Sequence, residues 1–318
     1  MKILRYILLF VTIFLQFPES TSALSFKQLT TASGITMSPF LENISLNQTK
    51  PEASFIVTYS NNTNNIQELD LTTEDFGSLN RSGGVLLEGS NLYTKKFGLS
   101  AWMQLSNNVL TLNPNSSESL TVTIVNQSSL TPGGHYGAIV AKVNNFNNPS
   151  NGNLVTINQQ LVNLVMIDKT GGEHYDLSLT GIKSNGNWLK LPNSVVLTFE
   201  NPGNVQVVPR GVVRLLSPSN KVIAQGIINS ESSFILPESF QDQIVNLTSI
   251  SNSYNLPGIY HLSVDFRYDG YSNYYYKEFT LSYIDLFGDI VILLVISITF
   301  IGFKIYKKRV KKQIKNKS

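Results

Sequence analysis

Between Leu24 and Tyr283 the chain carries no long stretch with helical spacing of apolar residues. It carries many runs of four to nine residues in which apolar and polar positions alternate, or in which β-branched and aromatic residues concentrate. Ser54 to Ser60 (SFIVTYS), Ser119 to Val125 (SLTVTIV), Val195 to Glu200 (VVLTFE) and Tyr260 to Tyr268 (YHLSVDFRY) are examples. The pattern predicts antiparallel strands buried on one face. Clusters of Asn, Gly, Pro and Ser separate them (SNNTNN, NPNSSES, NNFNNPSNGN, NPGN). Short strands with such punctuation predict a β-sandwich or barrel.

Two features recur in the same order. SFIVTYSNNTNNIQEL (Ser54 to Leu69) precedes PGGHYGAIVAKV (Pro132 to Val143), and SVVLTFENPGNVQVV (Ser194 to Val208) precedes PGIYHLSVDFRY (Pro257 to Tyr268). Each pair is a strand ending in an Asn turn, followed later by Pro-Gly, an aromatic residue and a long strand. Two tandem copies of one sandwich module explain this most simply. The apolar run Gln160 to Ile167 closes the first copy, and the Gly-rich stretch Asp168 to Glu173 suits a hinge. The expectation is all-β, with two tandem immunoglobulin-like β-sandwiches over residues 24–168 and 169–283. The first module has an insertion from Asp75 to Leu99 that reads as a surface hairpin or loop, a common place for binding function.

The ends add a second layer. Lys2 and Arg5 precede an apolar run, and Thr21 and Ala23 follow at cleavage-site spacing, so residues 1–23 read as a secretory signal peptide, with a retained N-terminal anchor as the other reading. Ile284 to Phe303 is predominantly apolar and is followed by KIYKKRVKKQIKNKS. That reads as one transmembrane helix over 284–303 and a basic cytoplasmic tail over 304–318. The expected localisation is the cell membrane, single-pass, with the N-terminus extracytoplasmic.

The formal charge of +3 is set by these ends. From Leu24 to Phe303 there are fourteen basic and twenty acidic residues, a net charge of −6. No nucleic-acid face is implied. With no cysteine in the chain, disulfides, thiol nucleophiles and thiolate metal sites are excluded. An exported region without disulfides favours a bacterial envelope over an animal receptor. The Asn-x-Ser/Thr sequons, such as Asn47 and Asn246, then read as by-products of an Asn-rich composition.

Catalytic chemistry finds no pattern. His135, His174 and His261 lack HExxH spacing, and no Gly-x-Ser-x-Gly serine is present. Glu74, Asp75, Asp265 and Asp269 show no sign of flanking one cleft as a glycosidase pair must. No enzyme activity, metal or cofactor is expected. In TPGGHYGAIV (Thr131 to Val140), Pro-Gly-Gly is turn chemistry that launches a strand, packed by Tyr136 and Ile139, with Gly137 leaving room for a neighbour. The same small residues could let a ligand approach the backbone. The binding candidates are therefore Gly133, Gly134, His135 and Tyr136, with Trp102 and with Tyr274 and Tyr276 from the cluster GYSNYYYKEF. For Trp102 a core position is the plainer reading, and for the tyrosines alternation between core and membrane headgroups.

NNT to EL (Asn61 to Leu69), LTTEDF (Leu71 to Phe76), SAWMQLS (Ser100 to Ser106), LNPNSSESLTVTI (Leu112 to Ile124) and TPGGHYGAIV together resemble the N-terminal domain of WxL-interacting proteins of Gram-positive surfaces. The resemblance covers residues 35 to 167, and FENPGNVQVVPRG (Phe199 to Gly211) fits related two-module proteins more loosely. It implies that the first module binds peptidoglycan and the second a WxL-type surface protein. The chain has no WxL motif of its own, since Trp102 and Trp188 are followed by Met-Gln and Leu-Lys. The function expected from the sequence is a non-enzymatic bacterial tether holding peptidoglycan or a secreted surface protein at the membrane. The alternatives are a membrane-tethered chaperone or assembly component that exposes an open edge strand, and an unrecognised carbohydrate-active enzyme.

Overall fold

The computed structural model describes residues 34–47, 49–89, 96–144, 159–250, 257–284, 293–304 and 307. The fold is all-β, with two immunoglobulin-like modules. The first contains β1 (Ile35–Ser38), β2 (Leu41–Leu46), β3 (Glu52–Asn61), β4 (Gln67–Leu79), β5 (Gly84–Gly89), β6 (Met103–Leu105), β7 (Val109–Leu112), β8 (Ser117–Val125), β9 (Gly133–Asn144) and β10 (Gln160–Lys169). The second contains β11 (Ser178–Ser184), β12 (Ser194–Asn201), β13 (Pro209–Leu216), β14 (Val222–Ile228), β15 (Ser239–Asn246), β16 (Thr248–Ser249), β17 (Gly258–Tyr268) and β18 (Tyr275–Tyr283).

In module 1, one sheet has the order β1-β3-β8-β6 and the other the order β2-β10-β9-β4, with β5 and β7 sharing the far edge of β4. In module 2 the orders are β11-β12-β15 and β16-β14-β13-β17-β18. The four runs quoted above as strands lie within β3, β8, β12 and β17.

Period-two alternation explains the layers. On β3, Val57 and Tyr59 point into the core, while Ser54, Thr58 and Ser60 point out. The outward hydroxyls pair across to β8, Ser54 with Thr123 at 3.0 Å and Ser60 with Ser117 at 2.7 Å. The inward side chains join Leu120, Val122 and Ile124 of β8 against Ile139, Leu161, Val165 and Ile167 of the facing sheet. Full burial of such a side chain stabilises by roughly 1.5–3 kcal/mol. With no disulfide to constrain the unfolded chain, this packing carries the modules.

The internal echo has a physical cause. β3 ends at Asn61 and β12 ends at Asn201, which are 1% and 0% exposed. Asn61 Nδ2 donates to Asn65 O at 2.8 Å and Leu112 O at 3.1 Å, and its Oδ1 accepts from Thr63 N at 3.0 Å. Asn201 repeats the arrangement: Nδ2 donates to Val205 O at 2.8 Å and Ile235 O at 2.9 Å, and Oδ1 accepts from Gly203 N at 2.9 Å. One buried amide satisfies two backbone groups of the turn that leads to the opposite sheet and ties that turn to a carbonyl of a distant segment.

The membrane expectation is corrected here. Ile284 leaves β18 in irregular structure, its N–H donating to Trp188 O at 2.6 Å, and residues 285–292 lie outside the described residues. The helix described over 293–304 rises about 18 Å, against a hydrocarbon core of about 30 Å. Among the described residues no helix is long and apolar enough to cross a membrane. The single-pass cell-membrane localisation is therefore not supported. The expected signal peptide and most of the expected basic tail lie outside the described residues.

Replacing Asn201 by Ala leaves three buried backbone groups unpaired and should cost about 3 kcal/mol in urea unfolding, with Asn61→Ala costing about as much. A loss below about 1 kcal/mol in either variant would show that its turn does not depend on the amide.

Candidate strand-accepting edge and inter-module cleft

The N-terminal strand divides between the two sheets of module 1. β1 pairs antiparallel with β3, the chain crosses at Pro39, and β2 pairs parallel with β10. That pairing runs only from Leu164 to Lys169, whereas β10 pairs with β9 from Gln160 onward. Among the described residues, the edge of β10 from Gln160 to Asn163 has no strand partner. Leu164 N–H donates to Phe40 O at 2.8 Å, so even-numbered residues of β10 direct their main-chain groups to the β2 side. Among the described residues, Gln160 and Val162 therefore have no strand partner for their main-chain groups along this edge.

The side chains beside this edge are apolar on both faces. Leu161, Val165 and Ile167 enter the module 1 core. Val162, Leu164 and Met166 lie on the outer face with Tyr136 and Ala138 of β9, Phe76 of β4, and Leu236 and Phe234 of module 2. An apolar stripe thus leads from the open edge into the seam between the modules. Next to it lies a cleft of about 410 Å³ whose walls include Phe76, Phe97, Tyr136, Leu236, Glu88 and Glu238.

Polar bonds hold the seam. Tyr136 OH donates to Gln206 Oε1 at 2.7 Å, Gln206 Nε2 donates to Asp168 Oδ1 at 2.9 Å, and Gly134 N–H donates to Asn204 O at 2.7 Å. The β4–β5 turn reaches module 2 as well, where Arg81 O accepts from Asp242 N–H at 2.9 Å and the guanidinium sits 5.4 Å from the Phe240 ring centroid. Lys96 and Glu238 form an exposed ion pair across the cleft, which contributes little. Burial holds the Tyr136 hydroxyl well above its usual pKa. Burial also raises the Asp168 carboxyl, with the Gln206 bond partly offsetting it.

The residues singled out from the sequence fall in separate places. Gly133 has φ 120°, and a Cβ there would lie 3.0 Å from Asn204 Nδ2 and Asn204 O, so the Pro-Gly-Gly turn abuts module 2. His135 is buried, with Nδ1 3.1 Å from Gly98 O and Nε2 2.7 Å from Thr131 O. Its pKa is lowered, first by burial. Trp102 is buried 6.0 Å from the His135 ring, and its Nε1 donates to Ser129 Oγ at 3.3 Å. Asp75 accepts from Leu99 and Ser100 N–H at 2.8 and 2.7 Å, and Lys169 Nζ donates to Gln127 O and Leu130 O. Asp75, His135 and Lys169 thus tie two loops to the sheet through backbone groups.

Tyr274 and Tyr276 are 60% and 57% exposed on module 2, away from the seam. Arg267 lies 5.6 Å from the Tyr274 ring, and Tyr276 OH donates to Glu278 Oε2 at 2.5 Å. Tyr271 stacks between Tyr268 and Tyr275 at 5.0 and 5.8 Å. Asp265 pairs with Arg214 and Asp269 with Arg210. His261 Nδ1 is 2.6 Å from Glu278 Oε1, and His174 lies in the inter-module linker. Among the described residues no three His, Asp or Glu side chains gather as a metal site.

No family model matches the chain. No curated protein matches it either. Similar solved structures include the class 5 fimbriae chaperone CfaA, at 12% identity and TM-score 0.42, covering 78% of this chain and 98% of that one. Others are the Salmonella enterica SafA pilin in complex with the SafB chaperone (11%, TM-score 0.40, covering 80% and 98%) and the CsuC–CsuE chaperone-tip adhesion subunit pre-assembly complex of Acinetobacter baumannii (8%, TM-score 0.38, covering 79% and 99%). None of these is a WxL-interacting protein and no family model matches, so the resemblance to WxL-interacting proteins is corrected, and the peptidoglycan tether and membrane partner expected with it are not supported. Along the β10 edge, module 1 carries main-chain groups flanked by the aliphatic side chains Leu161, Val162 and Leu164.

Sequence reasoning anticipated an open edge as one alternative but did not locate it. QLVNLVMI is apolar at nearly every position, and such a run cannot show which part of a strand lacks a partner.

The Asp168 carboxyl has a defined pH signature. Because its folded pKa is raised above the ordinary 3.8, its contribution to stability is intact below 3.8 and is lost as pH rises through the folded value. Asp168→Asn keeps an acceptor for Gln206 and removes the ionisation. The variant should be more stable than the parent at neutral pH and equally stable near pH 3, as read from melting temperatures across that range.

Proposed function

We propose that this protein is a non-enzymatic assembly chaperone that takes up a β-strand of an exported partner on the free edge of β10. The observation that carries the reading is the unpaired stretch Gln160 to Asn163, collinear with β2 and continuous with the stripe Val162, Leu164 and Met166. An incoming strand completes the hydrogen-bond row of β10 and lays its own outward side chains on that stripe. Main-chain bonds supply affinity that does not depend on sequence, and the stripe selects strands with alternating apolar residues. An exposed strand edge invites uncontrolled pairing, and on β10 the exposure is confined to a few residues by β2. The seam with module 2 holds the sheet rigid beneath the incoming strand, so little ordering of the acceptor is needed. The partner implied is an exported protein with an exposed strand.

Val162→Pro tests this directly. Proline removes the Val162 N–H that faces the free edge, while the bonds of β10 to β9 come from the neighbouring odd-numbered residues. The variant should fold with a melting temperature within a few degrees of the parent and bind alternating apolar strand peptides at least ten-fold more weakly. Unchanged peptide binding by a folded variant would overturn the reading.

A further inference from the structure

The unpaired edge is bordered by two buried oxygen atoms without donors. Asn163 is 0% exposed, its Nδ2 donates to Pro39 O where the chain crosses between sheets, and its Oδ1 has no partner. The Gln159 Oε1 atom is also buried and without a partner. Both residues share the parity of Leu161 and Val165, whose side chains point into module 1. They lie on either side of Leu161, at the two ends of the open stretch.

Native interiors rarely leave such acceptors unmet. β2 does not meet them, because its pairing starts at Leu164. A strand added beside Gln160 to Val162 does reach them. Residues opposite one another in a sheet point to the same face, with Cβ atoms about 5 Å apart, and diagonal neighbours lie about 7–8 Å apart. The inward side chains of the added strand therefore come within reach of Asn163 Oδ1 and Gln159 Oε1. An aliphatic side chain there would seal both acceptors from water without a donor, and a carboxylate would bring only further acceptors.

We infer that the strand accepted on β10 carries hydrogen-bond donors, of the Ser, Thr, Asn or Gln type, on the side turned into module 1, because Asn163 and Gln159 present unmet buried acceptors there. Its outward side stays apolar, against Val162 and Leu164. This rests on the strand-accepting reading and adds the chemistry of the partner to it. Strand selection is then two-sided, and a strand that is apolar on both faces is refused despite its greater hydrophobicity.

The test uses the full chain and two labelled nine-residue peptides with a lysine at each end. One has valine at every position between the lysines; the second alternates valine with threonine. Fluorescence anisotropy gives their affinities. The alternating peptide should bind about ten-fold more tightly than the all-valine peptide, the size of effect expected when a buried acceptor gains its donor. Equal binding, or tighter binding of the all-valine peptide, overturns this inference and leaves the strand-accepting reading standing. Failure of both peptides to bind overturns that reading, and this inference with it. In the double variant Asn163→Leu with Gln159→Leu the preference should reverse, and a folded variant with unchanged preference overturns the assignment to these two residues. The wild-type comparison decides the case even if the double variant does not fold.

Discussion

The short parallel pairing of β2 with the second half of β10 is the constraint on which the rest of the molecule depends. The N-terminal chain serves two sheets with one strand's length, β1 closing one and β2 the other, and the crossing at Pro39 uses up the residues that would otherwise cover the start of β10. In a sandwich whose strands are all satisfied by neighbours, main-chain groups offer nothing to a partner. Here a few residues of β10 keep an unpaired edge while their side chains stay anchored in two apolar clusters. Among the described residues the edge is therefore uncovered, while its side chains are packed.

The seam between modules fixes the surroundings of that edge. Tyr136, Ala138, Phe76 and Met166 point away from the core of module 1 and would be exposed in an isolated sandwich, but they are buried with Leu236 of module 2 among them. Gln206 spans the seam, accepting from Tyr136 and donating to Asp168. The raised pKa of Asp168 records the desolvation that the seam imposes on its carboxyl, which counts against the junction once that group is ionised. Asp75, His135 and Lys169 act on a smaller scale. Each is buried and each bonds to loop backbone, so these polar side chains shape the loops around the sheet.

Most of the architecture was legible in the sequence, and the reasons are local. Alternation in SFIVTYS and SLTVTIV follows from the two-residue period of a pleated strand, and the Asn turns that end β3 and β12 repeat because one buried amide can satisfy three backbone groups. The resemblance to WxL-interacting proteins rested on such strand and turn segments, which any immunoglobulin-like module with the same turn chemistry can share. The expected membrane span rested on apolar content, which does not determine how many residues are helical. The glycines and the histidine of TPGGHYGAIV were visible as unusual, but whether they faced solvent or a second module was not.

Composition and periodicity thus determined by themselves that the chain is all-β, that it repeats one module, and that it must hold together without disulfides. Those are properties of residues and their near neighbours. Tertiary structure alone decided where β2 ends against β10, which apolar face meets module 2, and that Asn163 and Gln159 hold acceptors without donors beside an open edge. Each of these depends on pairings between residues far apart in the chain, from Gln206 with Asp168 to Leu41 with Leu164, and no local pattern encodes whether a strand's second edge is covered.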